Sequence, residues 1–113
     1  MRSQEEHLIQ KSIVKYLDWL NINYFAIPNG GARHLMIAKK LKAEGVKRGV
    51  ADLFIYQASK EYHGLFIEVK TAKGTQSPYQ KDFQKLAQLA GYKYELVRSL
   101  DDTINVLKNY GII

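Results

Sequence analysis

The chain has 113 residues, room for a single domain around one core. It has no cysteine, which excludes disulfides, thiolate nucleophiles and cysteine zinc sites. No apolar run approaches the roughly 18 residues that cross a bilayer, and the residues after Met1 do not lead into a signal peptide's apolar stretch. The expectation is therefore an intracellular, cytoplasmic protein with no membrane partner. Lys and Arg together number 17 against 11 Asp and Glu, a net +6, which suits a polyanionic partner, because a cation near a phosphate releases condensed counterions.

In chain order, residues 4–20 read as a helix, with Ile9, Ile13, Tyr16, Leu17 and Leu20 at helical spacing. Trp19 adjoins that stripe and reads as core or interface. Tyr24-Phe25-Ala26-Ile27 reads as a strand stopped by Pro28-Asn29-Gly30-Gly31. Residues 34–44 form a second expected helix ended by Gly45. Residues 51–56 and 64–70 read as two strands. Ser77-Pro78-Tyr79-Gln80 then opens a helix, with Ser77 as the cap, Pro78 in the first turn and Gln80 returning the capping-box bond. Residues 94–97 read as a fourth strand and 101–110 as a last helix. The result is an α/β domain, a mixed four-stranded sheet flanked by helices.

Alternation puts Glu68 and Lys70 on one face of their strand and Leu65, Ile67 and Val69 on the other. On the preceding strand, Asp52 and Phe54 share a face, opposite Ala51, Leu53 and Ile55. If Tyr56 pairs with Gly64 in an antiparallel hairpin, Asp52 falls opposite Glu68. Two facing carboxylates repel unless a positive charge lies between them. A hard divalent cation such as Mg²⁺, with Mn²⁺ as a substitute, suits oxygen ligands and a phosphate substrate. Lys70 would orient or activate the attacking water and offset charge on phosphorus. The same residues also read as a strand-opening Asp and a surface ion pair, and spacing alone does not separate the two.

Glu6 lies near the centre of the first helix's apolar stripe, so its carboxylate needs a partner; as an alternative, acids favour a helix N-terminus in any case. Lys39, Lys40, Lys42, Lys47 and Arg48 form one basic cluster, and Lys70, Lys73, Lys81 and Lys85 a second. His34 and His63 have no ligand partner at useful spacing.

Gly45-Val46-Lys47-Arg48-Gly49-Val50-Ala51-Asp52-Leu53, then Phe66-Ile67-Glu68-Val69-Lys70, then Ser77-Pro78-Tyr79-Gln80 together resemble the PD-(D/E)xK nuclease superfamily, and within it the VRR-NUC domains. Ile27-Pro28-Asn29-Gly30-Gly31 with Arg33 is similar to the segment before that motif in small phage-type members. Ala51 stands where the superfamily usually has a proline, a backbone-shaping position that does no chemistry. The resemblance covers nearly the whole chain and implies a single stand-alone nuclease domain, residues 1–113, with a restriction-endonuclease-like core. It implies Asp52, Glu68, the Val69 carbonyl and Glu6 as metal ligands, Lys70 as the catalytic lysine and Gln80 beside the site.

The implied activity is a Mg²⁺-dependent structure-specific DNA endonuclease with no small-molecule cofactor. Stand-alone members resemble archaeal Holliday junction resolvases, so the expected form is a homodimer acting on a branched junction. Arg33, Lys39, Lys40, Lys47, Arg48 and Lys73 would contact DNA phosphates. Leu35, Met36, Ile37 and Leu41 offer a dimer surface, though core packing explains them equally. A flap, nicking or restriction-like endonuclease would use the same residues, and a nucleic-acid-binding module without chemistry is the alternative from another class.

Overall fold

The computed structural model describes residues 3–28 and 35–113, and the side chain of Leu35 is not described. The elements run α1 (Gln4–Trp19), β1 (Tyr24–Ala26), α2 (Leu35–Ala43), β2 (Leu53–Ile55), β3 (Leu65–Val69), α3 (Pro78–Leu89), β4 (Lys93–Val97) and α4 (Leu100–Tyr110). The strands lie in the order β1-β2-β3-β4. β1 and β3 are both antiparallel to β2, and β4 runs parallel to β3, with α3 as the crossover that a parallel pair requires. This is the mixed four-stranded α/β sheet read from the sequence. No helix among the described residues is long and apolar enough to cross a membrane.

One face of the sheet carries Leu53, Ile55, Leu65, Ile67, Val69 and Val97, packed against Ile13 and Leu17 of α1 and Leu107 and Tyr110 of α4. The opposite face packs on α3, where Ala87 meets Ala51 and Tyr94, with Phe66, Phe83 and Tyr92 around them. Helix ends are set locally. Ser3, Ser77 and Ser99 each accept a bond from the backbone N–H three residues on. At Ser77 the Gln80 side chain returns the bond, so the expected capping box forms.

The assumed hairpin register holds, with Leu53 opposite Ile67, Phe54 opposite Phe66 and Ile55 opposite Leu65. The ladder stops one pair before Asp52 and Glu68, so β2 is shorter than residues 51–56. The cause is Asp52 itself. Its N–H bonds Ile67 O at 3.0 Å, while its carboxylate Oδ2 accepts from Val69 N at 2.7 Å. A side-chain oxygen thus does the work of a ladder carbonyl, and regular alternation ends there. Ala51 accordingly packs under α3 instead of with Leu53 and Ile55.

Two apolar expectations change. Trp19 is 76% exposed and touches Tyr16, so it is not core. On α2, Met36 and Ile37 are 73% and 51% exposed, so core packing does not account for them.

Ile67 is fully buried on a central strand. Ile67→Ala should lower unfolding free energy by about 2–5 kcal/mol, read from urea denaturation; a loss under about 1 kcal/mol would contradict this core assignment. A second expectation concerns alkali. The Tyr24 phenol donates to Asp18 Oδ1 at 2.6 Å; burial first, then the Asp18 carboxylate, push its pKa from 10.0 up to about 12. Because the folded value lies above the unfolded one, this stabilisation is complete below pH 10 and is lost as pH rises through about 12. Across that interval the parent should lose stability more steeply than Tyr24→Phe, and equal slopes would refute the assignment.

Candidate active site

Asp52 is held at several points. Its carbonyl accepts from Ile27 N at 2.8 Å, its N–H donates to Ile67 O, and Oδ2 takes the Val69 N–H. The side chain is thereby fixed beside the peptide that links Glu68 to Val69.

Glu68 is fully buried, with no exposed surface. Its face of β3 lies under α3, so the carboxylate has no water to solvate it and must find donors in the protein. Oε1 accepts from Tyr94 Oη at 2.5 Å and from Gln76 Nε2 at 2.8 Å. The second N–H of Gln76 goes to Gln84 Oε1 at 2.8 Å. Among the described residues Oε2 has no hydrogen-bond partner, and it faces the Lys70 ammonium at 3.5 Å. Lys70 itself is only 14% exposed, so this is a desolvated pair and not the surface ion pair that spacing left open. Burial, then the bond to Glu68, push the Tyr94 phenol well above the usual tyrosine range.

The two donors on Oε1 were not singled out as site residues from the sequence. Tyr94 read as part of the fourth strand, and Gln76 had no assigned role. No sequence signal marked Tyr94: only the observed parallel register, in which it is the partner of Phe66, puts it on the Glu68 face. Gln80 takes the capping role expected of it. Its Oε1 accepts from Ser77 N at 2.8 Å, closing the capping box, and the glutamine that touches Glu68 is Gln76.

Glu6 is half-buried, and its carboxylate accepts from Ser3 Oγ at 3.5 Å. Among the described residues no three His, Cys, Asp or Glu side chains converge as a cation site, so Glu6 does not join Asp52 and Glu68 here. Mg²⁺ needs only one or two carboxylates because it keeps several waters. An all-oxygen set of Asp52, Glu68 and the Val69 carbonyl, with Glu68 Oε2 buried and without a hydrogen bond, fits such an ion.

Two features brace the rim. Arg98 Nη1 donates to the carbonyls of Thr71 at 2.6 Å, Gly74 at 2.8 Å and Ala72 at 3.3 Å, pinning the turn that follows Lys70 and carries exposed Lys73. Arg48 donates to Tyr79 Oη at 3.1 Å and lies 5.0 Å from its ring centroid, which seats it against the start of α3. Lys39, Lys40 and Lys47 are exposed. Arg33 and His34 lie outside the described residues.

No family model matches the sequence, and no curated protein matches it. Among solved structures, one described as a VRR_NUC domain protein superposes with a TM-score of 0.75 and 27% sequence identity, over 99% of this chain and 92% of that one. Over nearly its whole length the chain resembles a VRR-NUC domain in fold and in sequence. That likeness accounts for nearly every residue and supports a nuclease-type domain.

Gly49 keeps the Arg48 loop against α3. Its φ is +75°, and an added Cβ would lie 2.5 Å from the Tyr79 carbonyl carbon and oxygen, a backbone clash no rotamer relieves. Gly49→Ala should therefore cost about 1–3 kcal/mol in thermal or urea unfolding. An unchanged stability would show that the loop is not seated as described.

Proposed function

We propose that this VRR-NUC-like domain is a metal-dependent, structure-specific DNA endonuclease that hydrolyses phosphodiesters, with a four-way junction as its preferred substrate. The observation that carries the catalytic reading is Glu68: a fully buried carboxylate whose Oε2 has no hydrogen bond and faces Lys70. Burying a charge without satisfying each oxygen costs stability, and an oxygen left open beside a second acid is what a cation ligand needs.

Asp52, Glu68 and the Val69 carbonyl would hold Mg²⁺ or Mn²⁺. When bound, the cation supplies Lewis-acid polarisation of the phosphoryl oxygen and lowers the pKa of its water. The chain's own residues do the rest. Lys70 carries its charge on a side chain mostly shielded from solvent, where a positive group acts strongly on developing negative charge. Its ammonium has three donors, enough to face Glu68 and still orient the attacking water. That water forms a new bond to phosphorus, one ester P–O bond breaks, and the departing oxygen takes up a proton. Gln80 acts through the start of α3, which its capping box holds. Glu6 would become a ligand only by leaving Ser3.

Lys39, Lys40, Lys47, Arg48 and Lys73 are exposed cations suited to phosphates of the junction arms, and Arg33 belongs to the same proposed set. A homodimer would bring two sites to a two-fold substrate. Met36 and Ile37, exposed apolar residues on a lysine-rich helix, supply a surface for it.

The test is cleavage of labelled junction, flap, nicked and linear duplex DNA with Mg²⁺, Mn²⁺ or EDTA, for the parent and for Lys70→Ala. Paired symmetric nicks in the junction are expected, abolished by EDTA and reduced at least about 100-fold in the variant. Cutting confined to flaps or plain duplex would remove the junction preference and keep the active site. Folded protein that cuts none of these with either metal would leave a binding module.

A further inference from the structure

Two donors converge on one oxygen of Glu68 and none reaches the other. Oε1 takes the Tyr94 hydroxyl at 2.5 Å and the Gln76 amide at 2.8 Å, while Oε2 is buried with no hydrogen-bond partner. The nuclease reading assigns no role to Tyr94, Gln76 or Gln84. We propose that Tyr94 and Gln76 are positioning residues that spend Oε1 on the protein, so that Glu68 offers Oε2 alone to the divalent cation. This inference rests on the metal-dependent reading above.

The physical need is plain. The terminal torsion of a glutamate is soft and nearly two-fold, so an untethered carboxylate presents either oxygen, or both, to a cation. Mg²⁺ demands near-ideal octahedral geometry and dehydrates reluctantly, which makes a wandering ligand a poor one. A phenol at 2.5 Å has the length of a charge-assisted O–H···O⁻ bond, and it comes from β4, the strand parallel to β3. Its burial on the α3 side allows little rotation.

Gln76 adds direction. An amide nitrogen has two hydrogens, and here both are used, one on Glu68 and one on Gln84 Oε1 at 2.8 Å. Turned over, the amide would set its oxygen against the oxygens of Glu68 and Gln84 and lose both bonds. Glu68, which can only accept, selects the orientation in which Gln76 donates, and Gln84 takes the second hydrogen. Because Gln84 lies on α3, the capped helix is itself part of the device.

The experiment is calorimetric titration of the full, DNA-free chain with Mn²⁺, for the parent, Tyr94→Phe and Gln76→Ala, with cleavage followed across Mn²⁺ concentration. Loss of a group that orients a ligand typically weakens metal affinity 10–100-fold. Both variants should bind Mn²⁺ about 10-fold or more weakly, and cleavage should recover toward the parent's rate at saturating Mn²⁺. A merely structural role would instead lower the maximal rate without moving the metal dependence, and that result overturns the proposal. If Tyr94→Phe does not fold, Gln76→Ala decides, since Gln76 precedes α3 and is only half-buried. Unchanged Mn²⁺ affinity in variants of a parent that binds Mn²⁺ and cuts DNA refutes the positioning role alone. A parent that binds no Mn²⁺ refutes the metal-dependent reading and this inference with it.

Discussion

A carboxylate with no exposed surface sits on the central strand of this small domain, and the rest of the architecture answers to it. Moving a charge out of water costs several kcal/mol even after relaxation, and Glu68 meets that cost from three directions. β4 contributes a phenol, the segment before α3 contributes an amide, and β3 itself contributes the Lys70 ammonium. Parallel pairing of β3 with β4 is what brings Tyr94 alongside, and parallel pairing demands the α3 crossover that covers the site. Fold and site are thus two descriptions of one solvation problem.

The sheet divides its labour by face. Aliphatic side chains of β2, β3 and β4 meet α1 and α4 and form the larger core. The α3 face mixes aromatic rings with the polar network: Phe66 stands edge-on to Phe83 at 5.1 Å and tilted over Phe54 at 4.5 Å. This aromatic packing excludes water on the side where Glu68 lies. Without it, the hydrogen bonds to Oε1 would compete with solvent and hold the carboxylate less firmly.

How much of this was legible in the sequence follows from the range of each interaction. The Ser77 to Gln80 capping box spans four residues, and its outcome could be read directly. The α1 stripe and the alternation of β3 are periodic and were equally plain. The hairpin register depended on an assumed Tyr56 to Gly64 pairing, and the observed partners agree with it up to Leu53. Beyond that, a single side chain interrupts the period: Asp52 replaces a backbone acceptor, turns Ala51 toward α3, and no alternation rule contains that event. Tyr94 and Gln76 were invisible as site residues because they reach Glu68 across 26 and 8 positions of sequence, through pairings that only the assembled sheet defines. Gln80 is the opposite case, a residue whose bond to Ser77 N is the local capping role that its spacing foretold.

Asp52 carries a consequence for how such a domain can change over time. Its backbone joins the chain just after β1 to the start of β2, and its carboxylate fastens β3. A lineage that lost this acid would weaken the sheet together with any chemistry, so selection for a folded scaffold alone preserves half of the acidic pair. Lys70 stands otherwise, because its side chain makes an ion pair with Glu68 and fastens no strand. Erosion of a domain built this way should therefore take Glu68 and Lys70 together, since the loss of the lysine alone strands a buried charge, and leave a scaffold that keeps its aspartate long after the need for it has gone.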